Sequence, residues 1–266
     1  MDQGSLDRII RDFMPDEVYN LAAQSFVKVS WQKPILTGEA TGLGAVRMLE
    51  AVRNFKPDAK FYQASSSEMF GNTTTEFISE SSPMLATSPY AIAKLYAHMM
   101  TINYRESFDM FACGGILFNH ESPRRGIEFV TRKITYAVAC IAEGDNGKFQ
   151  LGNLDASRDW GYAKDYVEGM WHMLQADTPD DYVIATGRSA TIREFLDMTF
   201  KNVGIDDWDS YVEIDERFKR PSELVHLRGD GTKVKNAINW EPPTQLEELA
   251  RIMVESDREQ VRKFEK

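Results

Sequence analysis

The chain has 266 residues, 42% of them hydrophobic, enough for one large domain or two interleaved ones with a sizeable core. Thirty-one basic against 41 acidic residues leave a formal charge of −10, which argues against nucleic acid as the general partner, because phosphate-backbone binding rests on positive surface charge. No run of about 18 apolar residues occurs, and the start, MDQGSLDRII, has neither a basic n-region nor an apolar h-region, so a soluble cytoplasmic protein without membrane span or signal peptide is expected.

In chain order, Leu6, Ile9, Ile10 and Phe13 fall at helical spacing, and Pro15 ends that helix. Glu17 to Ala22 reads as a buried strand running into the loop Ala23-Gln24-Ser25. The string Thr37-Gly38-Glu39-Ala40-Thr41-Gly42-Leu43-Gly44 fits the T-G-x-x-x-G-x-G pattern of dinucleotide-binding turns. That motif needs a buried strand before it, and Trp31-Gln32-Lys33-Pro34 is not one, so the string reads as the start of an ordinary helix. Gly42 to Phe55 is expected to be helical, with Val46, Leu49 and Val52 on one stripe. Lys60 to Ser66 is the next strand, and after a loop rich in Thr, Ser and Glu a helix runs from Ser88-Pro89 to about Glu106. Ser88 serves there as N-cap and Pro89 sits in the first turn. Phe111 to Phe118 and Tyr182 to Thr186 read as buried strands, the second after a helix from Ala163 to Gln175. Beyond these lie helices near Ile192 to Val203 and Thr244 to Phe264, a short strand near Tyr211 to Ile214, and a turn at Arg228-Gly229-Asp230-Gly231. Cys113 and Cys140 lie in apolar runs without a second Cys or His at ligand spacing, which predicts reduced thiols and no metal site.

Strands separated by helices of about ten or more residues pair in parallel, so the expected fold class is α/β, a doubly wound parallel sheet. Ligands collect at the carboxyl ends of such strands, where Ser25, Ser66, Glu68 and Asn119-His120 fall. Tyr90 and Lys94 are four residues apart on a helix and share a face, and an ammonium there lowers the phenol pKa from about 10 toward working pH. The spacing alone is common in helices. Ser66 suits a turn cap as well as a reacting hydroxyl, and Glu68 suits a solvated loop as well as a base. Two residues on along an extended segment, Glu68 is expected on the same side as Ser66. The run Arg217 to Glu223 is locally basic in an acidic protein; it suits a diphosphate or a solvated loop. His98 and His172 read as packed or surface imidazoles within helices.

Several strings together resemble the GDP-mannose 4,6-dehydratases, extended short-chain dehydrogenase/reductases. They are Tyr19 to Ser25, Tyr62 to Gly71, Ser88-Pro89-Tyr90 to Tyr96, Asn119 to Gly126, Arg158-Asp159-Trp160-Gly161 and Val183 to Gly187. The resemblance spans nearly the whole chain, and Asn-His-Glu-Ser-Pro-Arg-Arg-Gly is its most specific part. It implies a Rossmann-like dinucleotide domain over 1–118 and 158–187 and a smaller α/β substrate domain over 119–157 and 188–266. It further implies conversion of GDP-mannose to GDP-4-keto-6-deoxymannose with bound NADP by a homodimer or homotetramer. By this resemblance Ser66, Glu68, Tyr90 and Lys94 are catalytic, and Leu21, Ala22, Ala23, Gln24, Ser25, Lys94, His120 and Arg125 bind the cofactor. Asn119, Lys133, Arg158, Arg220 and Glu223 hold the nucleotide sugar. Departures from the family pattern are Ser66 where Thr is frequent, and Phe26 and Tyr162 where His is usual. The matching strings also begin past the opening strands and the glycine-rich turn, so the resemblance implies an N-terminally incomplete dinucleotide fold. An epimerase or reductase of the same family, needing Tyr90 and Lys94 but not Glu68, and a non-catalytic remnant are the alternatives.

Overall fold

The computed structural model describes residues 2–73, 75–218 and 226–264. In chain order the elements are α1 (Gln3–Phe13), β1 (Glu17–Asn20), α2 (Val27–Gln32), α3 (Pro34–Thr37), a π-turn (Gly38–Leu43), α4 (Gly44–Phe55), β2 (Lys60–Ser66), a 3-10 turn (Ser67–Phe70), α5 (Pro89–Phe108) and β3 (Ala112–Leu117). There follow β4 (Asn119–Glu121), α6 (Val130–Ala142), β5 (Phe149–Leu151), β6 (Ser157–Tyr162), α7 (Ala163–Gln175), β7 (Asp181–Ile184) and β8 (Ser189–Thr191). The chain continues through α8 (Ile192–Lys201), β9 (Val212–Ile214), β10 (His226–Leu227), α9 (Thr232–Ile238) and α10 (Leu246–Phe264). Two units form. The first comprises Met1–Phe118, Val167–Ile184 and Gly229–Glu241, and the second Asn119–Tyr166, Ala185–Arg228 and Pro242–Lys266.

The first unit is built on a four-stranded parallel sheet in the order β1-β2-β3-β7. Six successive residues of β2, Phe61 to Ser66, are buried, as expected of a parallel strand covered on both faces. Between β1 and β2 the Asn20 amide donates to Gln63 Oε1 at 2.8 Å, so two polar side chains in this interior satisfy each other. Ile10, Leu49, Val52, Phe61, Tyr104 and Met110 form one cluster of the core. α5 starts as its sequence dictates: Ser88 Oγ accepts the Ala91 N–H at 3.1 Å and Pro89 occupies the first turn.

The glycine-rich string lies inside a helical run from α3 through the π-turn into α4. Its Gly42 faces α5, where a Cβ would stand 3.3 Å from the Tyr96 ring and 3.5 Å from the Ala93 carbonyl. The glycine serves close approach of two helices. Its threonines hold the loop after β1: the Gln24 N–H donates to Thr41 Oγ1 at 3.1 Å, and Thr37 Oγ1 donates to Gln24 Oε1 at 3.3 Å.

The second unit has a parallel set β10-β6-β4, with β8 antiparallel on β6, and a separate parallel pair β5-β9. Trp160, Phe195, Phe200, Trp208, Leu249 and Met253 are packed in its core. Thr191 and Glu194 close a capping box on α8. The division differs from the sequence expectation at three places, the shortest being residues 185–187, expected with the dinucleotide domain, which fall in the second unit. Residues 158–166, expected with the dinucleotide domain, fall in the second unit, because β6 pairs with β4, β8 and β10 and Trp160 enters that core. Gly229–Glu241, expected in the substrate domain, falls in the first unit, where Gly229 bridges to Ile78 and Lys233 donates to the Asp181 carbonyl at 2.9 Å.

Candidate active site

Ser66 is the last residue of β2, and Tyr90 and Lys94 lie on α5, which packs on that strand. Lys94 is 4% exposed, and its Nζ donates to the Ala64 carbonyl at 2.7 Å and stands 5.9 Å from the centroid of the Tyr90 ring. Burial alone pushes the Lys94 ammonium down to about 8, since a charged group loses solvation there. A nearby cation over the ring edge or face favours phenolate over phenol, so the pair is chemically suited to take a proton from an alcohol.

Glu68 corrects one expectation. The segment after Ser66 is a 3-10 turn, because Ser66 Oγ accepts the Glu68 N–H at 3.3 Å and caps it. The cap decides between extended and turned backbone, so Glu68 reaches its place by the turn. Ser67, Met69 and Phe70 are buried while Glu68 is half-buried, so the turn presents its carboxylate and packs its neighbours inward. The turn closes on Gly71, whose N–H donates to the Glu68 carbonyl at 3.2 Å with φ +59°, and a Cβ there would run into the Leu85 carbonyl. Because β1 and β2 are parallel, the loop Leu21 to Ser25 leaves the sheet at the same edge as Ser66, with Leu21, Ala22 and Ser25 exposed and Ala23 and Gln24 half-buried.

In the second unit, Asn119 and His120 lie on β4, opposite Trp160 and Gly161 of β6. The His120 ring stacks on Tyr166 with centroids 5.1 Å apart, and Gly161 makes room for that tyrosine, since a Cβ there would collide with its ring. Glu121 is buried; burial pushes its carboxyl up, opposed by Arg125 at 3.2 Å and the Thr131 hydroxyl at 2.6 Å. Arg125 also lies over the Phe129 ring, 3.5 Å from its centroid. Asp159 is fully buried and clamps the turn after β7, accepting the Thr186 N–H at 2.9 Å, its hydroxyl at 2.7 Å and the Gly187 N–H at 2.9 Å. Arg158 is on β6, donating to the Ser157 carbonyl at 2.8 Å, and Lys133 is half-buried on α6. Arg220 and Glu223 lie outside the described residues. Sequence reasoning missed the Ala64 carbonyl, the Asp159 clamp and the Ser65–His98 contact. The Gly114-Gly115 pair inside β3 was a usable signal for the last, because strand glycines mark close approach.

The family model described as GDP-mannose 4,6 dehydratase matches residues 1–253. GDP-mannose 4,6 dehydratase 2 of Arabidopsis thaliana is 53% identical over 97% of this chain and 70% of its own length. The chain belongs to the GDP-mannose 4,6-dehydratase family. The human GDP-mannose 4,6 dehydratase is 45% identical over 98% of this chain and 75% of its own length. Among solved structures, RMD from Pseudomonas aeruginosa complexed with NADPH superposes with a TM-score of 0.88 at 21% identity, over 97% of this chain and 86% of that one. dTDP-glucose 4,6-dehydratase from Bacillus anthracis in complex with NAD gives 0.84 at 22% identity, over 98% and 78%. The fold is thus the Rossmann-like α/β fold with a parallel sheet.

The nicotinamide end of a dinucleotide fits the residues in hand: an ammonium has three donors, and Lys94 gives one to the Ala64 carbonyl. The pyrophosphate end has no glycine-rich turn between strand and helix among the described residues, the one matching string being helical and packed on α5. Among the described residues no group of three or more His, Cys, Asp or Glu could hold a metal, and no helix is long and apolar enough to cross a membrane.

Proposed function

We propose that this chain is an NADP-dependent hydro-lyase that converts GDP-mannose to GDP-4-keto-6-deoxymannose. The observation that carries the reading is the half-exposed Glu68 carboxylate, held by a capped turn directly after Ser66 on the strand against which Tyr90 and Lys94 pack. The proton on carbon 5 of a hexose is not acidic, and it becomes so when carbon 4 is a ketone. NADP, when bound, supplies the hydride acceptor for carbon 4 and the donor for carbon 6. Tyr90, beside the Lys94 ammonium, takes the proton of the 4-hydroxyl, and Ser66 donates a hydrogen bond to the same oxygen. Glu68 removes the carbon 5 proton and passes it to the departing 6-hydroxyl, which leaves as water; when carbon 6 is reduced carbon 5 regains a proton, and the one taken by Tyr90 closes the balance. Lys94 and the loop Leu21 to Ser25 serve the cofactor with His120 and Arg125, and Asn119, Lys133, Arg158, Arg220 and Glu223 serve the nucleotide sugar. The family membership supports these assignments.

Cytoplasmic residence and a homo-oligomeric state complete the proposal. Ile92, Tyr96 and Met99 line one face of α5 and are exposed, as are Trp31, Ile35, Leu36 and Leu43, an apolar set suited to covering by a second copy. Purified chain incubated with GDP-mannose and NADP should give the keto product; a folded chain without turnover would sink the reading. Turnover surviving Glu68→Gln, or an epimerised product, would point to an epimerase or reductase. Binding of GDP-mannose without NADP would identify a non-catalytic remnant.

A further inference from the structure

We propose that His98 is a positioning residue for Ser66, Tyr90 and Lys94, acting through its hydrogen bond to Ser65 to fix where α5 is held along β2. The roles of those three rest on the dehydratase reading. Tyr90, Lys94 and His98 follow at four-residue steps on α5 and share one face. That face meets β2 through two polar contacts one helical turn apart: Lys94 Nζ to the Ala64 carbonyl at 2.7 Å, and His98 Nδ1 with Ser65 Oγ at 2.9 Å. A single tether leaves a helix free to swivel about it, whereas two set both its rotation and its register. The second tether ends on the residue before Ser66, so the hydroxyl and the Tyr-Lys pair are referred to one strand end.

The slot that admits the imidazole is built for it. Gly114 of β3 lies in register with Gln63, and a Cβ there would stand 2.8 Å from His98 Nδ1 and 2.5 Å from Asp181 Oδ1. Asp181 is engaged elsewhere, accepting the Gly114 N–H at 2.8 Å and the Arg105 guanidinium at 3.1 and 2.6 Å. The imidazole therefore has the serine hydroxyl as its near polar partner. It is 2% exposed, and burial pushes its pKa down, Asp181 opposing and Arg105 adding, so it stays neutral and makes an uncharged hydrogen bond. Nothing in the proton transfers assigned above uses it, which leaves position as its role.

The test compares His98→Leu, His98→Asn and Ser65→Ala with the parent chain. With GDP-mannose and NADP, His98→Leu and Ser65→Ala should each lower kcat about tenfold with KM within about twofold, the double variant being no worse than either alone. His98→Asn, which keeps a polar group near the Nδ1 position, should recover most of the rate. A second readout needs no turnover: the Lys94 Nζ signal in 15N-lysine NMR, identified by its loss in Lys94→Met, should titrate near 8 in the parent and in His98→Asn. In His98→Leu its midpoint should rise by about one pH unit as the loosened helix admits water. If the parent does not turn over GDP-mannose, the dehydratase reading fails and the lysine titration still decides the positioning role. An unmoved Lys94 midpoint, or His98→Asn as impaired as His98→Leu with only Tm lowered, would overturn it.

Discussion

The end of β2 with α5 and the β4-β6 region with α6 both bury charge, and they neutralise it in opposite ways. In the first, the Lys94 ammonium is buried against a carbonyl and a phenol ring. In the second, buried charges sit against opposite charges: Arg132 on Asp257 at 2.6 Å, with Thr135 adding a hydrogen bond at 2.7 Å, and Arg125 beside Glu121. A buried charge without a carboxylate partner is easily moved to its neutral form, so it suits proton chemistry. In a buried ion pair the cation opposes the desolvation that pushes the Glu121 and Asp257 carboxyls up, and the pairing suits fixing geometry. The Arg132 guanidinium also donates to the Pro123 and Arg125 carbonyls, so the pair ties the Asn119 to Gly126 octapeptide to α10.

The sharpest way to break this comparison is at Glu68. Glu68→Gln should cut formation of the keto product about 10²- to 10⁴-fold while NADPH fluorescence still appears transiently on mixing with GDP-mannose; product at the parent rate would remove the acid from the mechanism. The second unit should answer in stability. Asp257→Asn leaves Arg132 buried without its counter-charge and should cost about 3–5 kcal/mol in urea unfolding, whereas a change below about 1 kcal/mol would show that the pair does not hold the fold.

Lys94 should behave in the reverse sense. At pH 7 the folded chain keeps a buried ammonium that burial depresses to about 8, so Lys94→Met should abolish turnover and raise stability by about 1–2 kcal/mol. The sign with pH follows from proton counts. Below about 8 the penalty is constant, and between there and the ordinary lysine value the unfolded chain binds the extra proton. Stability of the parent relative to Lys94→Met therefore rises with pH across that window, which unfolding midpoints from pH 7 to 10 would check, and a fall would contradict the assignment. Smallest of all is Gly42→Ala. The alanine gains helix propensity and must displace the partly exposed Tyr96 ring by a few tenths of an ångström, so stability should stay within about 1 kcal/mol and NADP affinity should not change. Loss of NADP binding would restore the glycine string as a phosphate cradle.

Local chemistry was legible in the sequence wherever one residue type dictates a backbone choice. Ser88-Pro89 announced α5, and the run Ala163–Gln175 has the bounds its periodicity predicts. Tyr90 and Lys94 were readable as a pair because four residues on a helix define a face. The 3-10 turn was not, since it depends on whether the Ser66 hydroxyl caps Glu68 or points elsewhere. The strands β4, β5 and β8 have three residues each, too few to show alternation, and α9 hides behind the turn whose Gly231 is its N-cap. The Arg105–Asp181 and Arg132–Asp257 pairs join residues far apart in the chain, and no spacing rule finds them.

Gly71 carries a consequence for inheritance. A substitution there meets both a left-handed backbone and the Leu85 carbonyl, while Glu68, three residues earlier, is half-buried and enters the turn through its backbone N–H and carbonyl. Because residue 68 holds the turn through backbone groups, single-base drift can exchange its side chain with less damage to the turn than at position 71, where it is shut out. Descendants of this chain that change their chemistry have an open door at the acid and a closed one at its hinge.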